Sequence, residues 1–276
     1  MRVLVSLTST RVRLPILKYT LISLLDQNCP PDEIVLNLSS EPYLFDEGIE
    51  SLPDWLKNID STKVTINWVP NEGPYRKLIP TIGMAQFDDL IVTCDDDVIY
   101  GPEWLGVLLR FARENPDCII CGRARRPVKN FFGLTQSYNN WIFCDEGSRS
   151  LKSLPIGIAG VVYRKSLLDS DLLNSKYYLK YAPKQDDLWF KLSSYRMDTY
   201  VFVAPGVNQQ IFAIDAPAKL YDINAKQAWK FSKGQVLMTF IERLIYFSKC
   251  YFGISVTEND RVWKLISKKF SKVGIR

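Results

Sequence analysis

The chain reads as an α/β protein: a mostly parallel central sheet flanked by helices, followed by a basic helical C-terminal extension. Three observations predict this. Leu90-Ile91-Val92-Thr93-Cys94 is a short apolar run of the kind that forms an interior strand buried on both faces, and it ends abruptly in Asp95-Asp96-Asp97. Strand-like and helix-like segments alternate along the N-terminal part of the chain, the pattern of βαβ units. Finally, residues 226–276 hold eleven Lys/Arg against Glu242, Glu258 and Asp260, while the whole chain of 276 residues carries only +5. A slightly acidic body therefore precedes a basic tail.

The elements follow in order. Residues 2–9 form a first strand ending in Thr8, Ser9, Thr10 and Arg11. Residues 14–27 space Leu14, Leu17, Leu21 and Leu24/Leu25 as a helix does, and Asn28-Cys29-Pro30-Pro31 breaks it. A second strand over 33–38 ends at Asn37 and Ser39, and a short helix is expected around Pro53-Asp54-Trp55-Leu56. A third strand over 64–69 leads into Asn71-Glu72-Gly73-Pro74. Residues 76–87 are expected to be helical only in part, because Pro80 forbids a clean start before it. After the 90–94 strand and its acidic corner, Val98-Ile99-Tyr100 returns to apolar residues, and Gly101-Pro102-Glu103 opens a helix over 102–115. The second half is more mixed: a strand over 118–121, a loop-rich region to 153, a small-residue segment over 157–163, a helix over 184–196 and a strand over 199–204. A boundary is expected near 215–225, around Pro217 and Asp222.

Composition excludes several chemistries. The chain has no histidine, so Ser-His-Asp and Cys-His nucleophile systems and histidine metal ligands are ruled out, and a general base must come from Asp or Glu ahead of Tyr, Lys or Cys. Its six cysteines lack a disulfide or zinc spacing; Cys118-Ile-Ile-Cys121 has no second pair, and strand cysteines in a reducing compartment account for them. Residues 1–7 are too short and too soon polar for a signal peptide, and no apolar run reaches the roughly 18 residues of a membrane span. These readings place the chain in the cytoplasm.

Three adjacent carboxylates at the carboxyl end of a parallel strand sit where open α/β sheets bind ligands. They repel one another unless a cation lies among them. Hard oxygen donors favour Mg²⁺ or Mn²⁺, ions that usually hold substrate phosphates as well. The expectation is a metal-dependent enzyme acting on a phosphorylated, nucleotide-linked substrate.

Taken together, four segments resemble the GT-A class of nucleotide-sugar glycosyltransferases, especially the family 2-like enzymes of bacterial surface polysaccharide (O-antigen and capsule) synthesis. They are Ser6-Leu7-Thr8-Ser9-Thr10-Arg11, Gly73-Pro74-Tyr75-Arg76-Lys77-Leu78-Ile79-Pro80, Asp95-Asp96-Asp97 as the DxD motif, and Lys184-Gln185-Asp186-Asp187-Leu188-Trp189-Phe190 as the acidic acceptor motif. The likeness implies a catalytic domain over 1–220, with a donor half over about 1–100 and an acceptor half over about 101–220, and a tail over 221–276. It implies a UDP-sugar donor carrying a hexose or N-acetylhexosamine, with Thr8, Ser9, Arg11, Asn37, Arg76, Lys77, Asp95, Asp96 and Gly160 around it. A divalent cation would be held by Asp97, with Asp95 or Asp96 supporting it or meeting the ribose. Asp187 is the implied general base and Asp186 the orienting acid, although the change from Glu-Asp to Asp-Asp leaves that choice open; a dedicated base implies inversion. No histidine is available to complete the metal shell.

The tail places Leu237, Phe240/Ile241, Leu244 and Phe247 on one stripe, and Val262, Leu265/Ile266 and Phe270 on another. Basic amphipathic helices of this kind lie in anionic membrane interfaces. They suit an enzyme on the inner face of the cytoplasmic membrane with a polyprenyl-linked glycan acceptor. No nucleic-acid-binding module is recognisable. A sugar nucleotidyltransferase would want a glycine-rich phosphate loop after the first strand, and residues 6–13 contain no glycine. A catalytically silent binder of nucleotide sugar or glycan is the remaining rival.

Overall fold

The computed structural model describes residues 1–215 and 236–270. All of the expected 215–225 boundary except Asp215, the tail cations Lys226, Lys230, Lys233, Lys272 and Arg276, and the side chains of Leu237 and Phe240 lie outside the described residues.

Four strands, β1 (Val3–Thr8), β2 (Glu33–Leu38), β3 (Val64–Trp68) and β4 (Leu90–Thr93), pair in parallel in the order β3-β2-β1-β4. Every residue of β4 is buried, as an apolar run covered on both faces requires. Helix α1 (Leu14–Leu25) connects β1 to β2 and buries Leu14, Leu17, Leu21 and Leu24, the stripe expected of 3.6-residue periodicity. After the short α2 (Asp54–Lys57), the 76–87 segment divides: a 3₁₀ turn over Gly73–Lys77 and then α3 (Ile79–Met84), with Pro80 in its first turn. There the missing N–H would have had no intrahelical partner.

Beyond β4, β5 (Val98–Tyr100) leaves the sheet and α4 (Trp104–Glu114) packs on it. The sheet then takes in β6 (Cys118–Cys121). A long excursion carries the small strands β7 (Ala124–Arg126), β8 (Ile142–Phe143), β9 (Arg149–Ser150) and β10 (Leu154–Pro155). β11 (Val161–Tyr163) inserts antiparallel between β4 and β6. α5 (Ser175–Tyr181) and α6 (Asp186–Arg196) lead to β12 (Tyr200–Val203), parallel to β6, and β13 (Ile211–Ala213) pairs with β5. The eight-stranded order is β3-β2-β1-β4-β11-β6-β12-β9: mostly parallel, with β11 and the edge strand β9 reversed.

Helices cover both faces. Val5, Leu7 and Val92 meet Leu17, Leu21, Leu105 and Leu108 on one side. Leu4, Ile91, Ile119 and Val201 meet Tyr75, Leu188 and Trp189 on the other. The latter layer also receives α8 (Glu258–Phe270), which follows α7 (Val236–Tyr251) in the chain. Val262, Trp263 and Ile266 of α8 are buried, Trp263 meets Trp141 edge-on at 5.5 Å, and Phe270 meets Trp189 at 5.3 Å. The α8 stripe therefore belongs mainly to the core, with Leu265 left at the surface. All six cysteines are free thiols.

Candidate active site

The site forms where the parallel strands end. β4 finishes at Thr93, and Cys94–Asp97 turns across the carboxyl edge of the sheet. Arg13, just ahead of α1, donates from Nη1 to Asp96 Oδ1 and from Nη2 to Asp97 Oδ2, both at 2.6 Å. Ser9 Oγ donates to the other Asp96 oxygen at 2.5 Å, and Thr20 Oγ1 to the Asp96 carbonyl at 2.9 Å. Asp96 is thus enclosed; burial pushes its pKa up to about 6, against the pull of Arg13 and the Ser9 hydroxyl. It ties the acidic corner to β1 and α1. Asp95 is the most open of the three, its side chain 30% exposed against 3% for Asp96 and 13% for Asp97.

The acceptor motif faces this corner across one cation. Lys77, closing the 3₁₀ turn, places Nζ 2.8 Å from Asp186 Oδ2, 3.5 Å from Asp95 Oδ1 and 3.8 Å from Asp187 Oδ1. Burial opposes its charge, yet the attraction of Asp186, Asp95 and Asp187 leaves its pKa well above that of an ordinary lysine. Asp186 and Asp187 open α6, where the helix dipole favours negative charge. Burial nonetheless raises both. Asp187 is pushed up to about 7, with Lys77 opposing and the neighbouring carboxylates adding to the shift.

The floor between the motifs is the 157–160 turn. Gly157 N donates to Asp187 Oδ2 at 3.3 Å. A Cβ on Gly157 would stand 2.8 Å from Lys77 Nζ and 3.4 Å from both Asp95 Oδ1 and Asp187 Oδ1, so only glycine leaves the basin clear. Tyr100 OH accepts from Asp95 N at 3.0 Å and donates to the Ile158 carbonyl at 3.1 Å, and Trp104 Nε1 donates to the Ala159 carbonyl at 3.0 Å. Gly160 has φ +85° and packs on Trp104, whose ring would lie 2.5 Å from an added Cβ.

The other expected donor residues divide. Thr8 donates through Oγ1 to the Asn37 carbonyl at 2.8 Å. Asn37 itself is wholly buried, donating to Ser6 Oγ and Thr81 Oγ1 and accepting from Asn67 Nδ2; it ties strands together rather than facing the basin. Arg11 sits at the surface with Glu50 at 2.9 Å. Arg76 is buried against Asp46 at 2.8 Å, and its Nη1 has no hydrogen-bond partner among the described residues. A buried, unsatisfied guanidinium N–H fits a missing anionic or carbonyl oxygen.

Asp95 and Asp97 supply hard oxygens suited to Mg²⁺ or Mn²⁺. Among the described residues no group of three or more His, Cys, Asp or Glu side chains is arranged to hold a metal ion. One or two carboxylates, with water and substrate phosphate completing the shell, is the usual Mg²⁺ arrangement. The donor set fits an ion that arrives with a diphosphate.

Arg13, Asp46 and Tyr100 were not singled out from sequence, and Gly157 only as the first residue of the small-residue segment. Arg13 lies two residues past Arg11, and Gly157 three before Gly160 in the same small-residue segment; which cation and which glycine face the acids depends on the turns between them.

A mostly parallel sheet with one acidic motif at the end of β4 facing another at the start of α6 defines a GT-A-like α/β fold. The sequence model of glycosyl transferase family 2 matches residues 7–174, and the chain belongs to this family. No curated protein matches it. Among solved structures, Staphylococcus aureus TarS (residues 1–349) is similar in fold at a TM-score of 0.51 and 16% identity, over 95% of this chain and 78% of that one. The 2-C-methyl-D-erythritol 4-phosphate cytidylyltransferase of Francisella tularensis aligns at a TM-score of 0.44 and 13% identity, over 80% and 97% of the two chains.

Proposed function

We propose that the protein transfers a hexose or N-acetylhexosamine from a UDP-sugar to a hydroxyl of a glycan acceptor, with inversion. The observation that carries this reading is the Lys77 ammonium shared by Asp95, at the end of β4, and by Asp186 and Asp187, at the start of α6. It brings a donor-side carboxylate and a candidate base into one basin.

In this reading the Asp187 carboxylate takes the proton of the acceptor hydroxyl as that oxygen bonds to the anomeric carbon. The bond from that carbon to the diphosphate oxygen breaks, and its electron pair leaves with UDP. Burial, which raises the base towards neutrality, suits it to accept a proton near pH 7. Asp186 and Lys77 hold the base in place, and Gly157 leaves room for the sugar. Arg76 offers its unsatisfied Nη1 to the donor. Asp97 and Asp95 are the residues to hold Mg²⁺ or Mn²⁺, which when bound supplies Lewis-acid stabilisation of the departing diphosphate.

The acceptor proposed is a polyprenyl-linked glycan of a bacterial surface polysaccharide, met by a catalytic unit over 1–220 working at the inner face of the cytoplasmic membrane. Calorimetric titration with UDP and GDP, with and without Mn²⁺, on wild type and Asp97→Ala tests the donor site. Mn²⁺-dependent UDP binding lost in the variant is expected. A preference for GDP would change the donor class, and no metal-linked binding of either nucleotide would overturn the assignment.

A further inference from the structure

Helix α7 is turned the wrong way for a helix that serves only the core. It meets the body through Tyr246, whose hydroxyl accepts from Asn139 Nδ2 at 2.7 Å, and through the buried Cys250, whose carbonyl accepts from Ser137 N at 2.9 Å. Ile241, Leu244, Ile245, Phe247 and Tyr251 are exposed instead, Leu244 at 59% and Phe247 at 61%.

The same surface continues onto the loop between β7 and β8. Phe131 and Phe132 are 90% and 65% exposed. Their rings lie 5.5 Å apart, and Phe132 stacks on Phe252 at 6.0 Å. The loop is held there rather than loose: Asn130 Nδ2 donates to the Tyr251 carbonyl at 3.0 Å, and Phe131 N to the Tyr251 hydroxyl at 3.2 Å. Exposed apolar surface on this scale marks an interaction site.

Charge identifies the occupant. From residue 118 to 144 the chain has no Asp or Glu, while Arg123, Arg125, Arg126 and Lys129 lead directly into Phe131. Arg126 and Lys129 are exposed, as are Arg243 on α7 and Lys264 and Lys268 on α8. These cations outnumber the unburied acids on the same helices, Glu242 on α7 and Glu258 on α8, so two such surfaces brought together in a dimer would set a net like charge against itself, at a cost. An anionic lipid surface meets both requirements, taking aromatic and aliphatic side chains into the headgroup boundary and basic ones against the headgroups.

We propose that Phe131, Phe132 and the outward face of α7 form one membrane-docking surface for a bilayer bearing anionic headgroups. Among the described residues no helix is long and apolar enough to cross a membrane, so the contact lies in the interface plane. The surface deepens the transferase reading, since β10 runs directly from this excursion into Gly157; its physical basis is independent of catalysis.

Co-sedimentation of the full chain with phosphatidylcholine vesicles, with and without 30 mol% phosphatidylglycerol, tests it. We expect at least about tenfold tighter partition onto the anionic vesicles, weakened by 0.5 M NaCl. Phe131→Ser/Phe132→Ser should lose about tenfold or more of that partition, and Arg126→Glu/Lys129→Glu should lose its anionic preference. Thermal melting and metal-linked UDP titration of each variant report folding and the donor site separately, so failure of the transferase reading leaves the vesicle result intact. Wild type remaining in the supernatant, equal partition of wild type and a folded Phe131→Ser/Phe132→Ser protein, or a dimer dissolved by that double variant without vesicle binding would each overturn the proposal.

Discussion

Lys77 and Asp186, 109 residues apart in sequence, form an ion pair at 2.8 Å. Asp95 and Asp187 stand at 3.5 and 3.8 Å from the same ammonium. Without that cation, three carboxylates would share one poorly solvated basin.

Lys77→Met should therefore destabilise the protein by about 3–5 kcal/mol, the usual consequence of removing one partner of a buried pair. The loss should be larger at pH 8 than at pH 5, because protonating the stranded carboxylates relieves their repulsion. Lys77→Arg should recover part of the stability. Melting temperatures of the three proteins at the two pH values check this.

The base assignment has a pH signature. Asp187 is raised to about 7 in the folded protein, and a base must be deprotonated to act. Transfer should rise with pH through about 7 and level off above it. Asp187→Asn should lower kcat by about 10²–10⁴-fold while leaving Mn²⁺-linked UDP binding in place. A pH–rate profile together with nucleotide titration reads both outcomes.

Two glycines near the basin should respond oppositely. In Gly157→Ala the new methyl meets the end of the Lys77 side chain, which can move, and oxygens at 3.4 Å; folding should survive while activity falls. In Gly160→Ala the methyl meets the Trp104 ring at 2.5 Å, at a φ of +85°, and the protein should lose stability by several kcal/mol. Melting temperature set against transfer rate separates the two.

Lys191, one turn beyond Asp187, is buried with no hydrogen-bond partner for Nζ among the described residues, and burial pushes its pKa down to about 7. A depressed lysine costs nothing above about pH 10.5; the cost grows as pH falls and is complete below about 7. Lys191→Met should therefore stabilise the protein most at pH 6 and little at pH 10, read as a melting-temperature gain of roughly 2–4 °C per kcal/mol.

Much of the fold was legible because burial leaves simple signatures. The strands over Glu33–Leu38 and Cys118–Cys121 were expected at their observed bounds, and Asp186–Arg196 starts at the two acids that announced it. Antiparallel insertion of β11 was not legible, since Val161–Tyr163 is equally apolar in either direction. In the site, Asp95-Asp96-Asp97 stood out at the end of an apolar strand, and Asp186-Asp187 through resemblance to the acceptor motif. Arg13 did not, because its value lies in a side-chain reach across to Asp96 and Asp97. The family resemblance implies Asn37 and Gly160 near the donor; in the structure their immediate partners are Thr81 and Trp104. The tail was expected to offer both helices to a membrane, yet Trp263 and Ile266 pack into the body. Which face of an amphipathic helix meets the protein is set by the surface awaiting it.

The excursion that begins after β7 is closed at its base by β10, with Leu154 opposite Arg125 and Pro155 opposite Ala124. What happens beyond that clasp can change in length without moving Gly157. The excursion is not independent of the C-terminus, however: the Asp260 carboxylate accepts from Ser137 Oγ at 2.7 Å and from Tyr138 N at 2.6 Å. Loop and α8 are thus tied together, while α8 itself stays packed on α6 through Phe270 and Trp189. A chimera exchanging residues 127–153 alone would replace the Ser137 hydroxyl donor and leave Asp260 leaning on Val256 N and Thr257 N, whereas one that carries both pieces from the same parent keeps the tether intact.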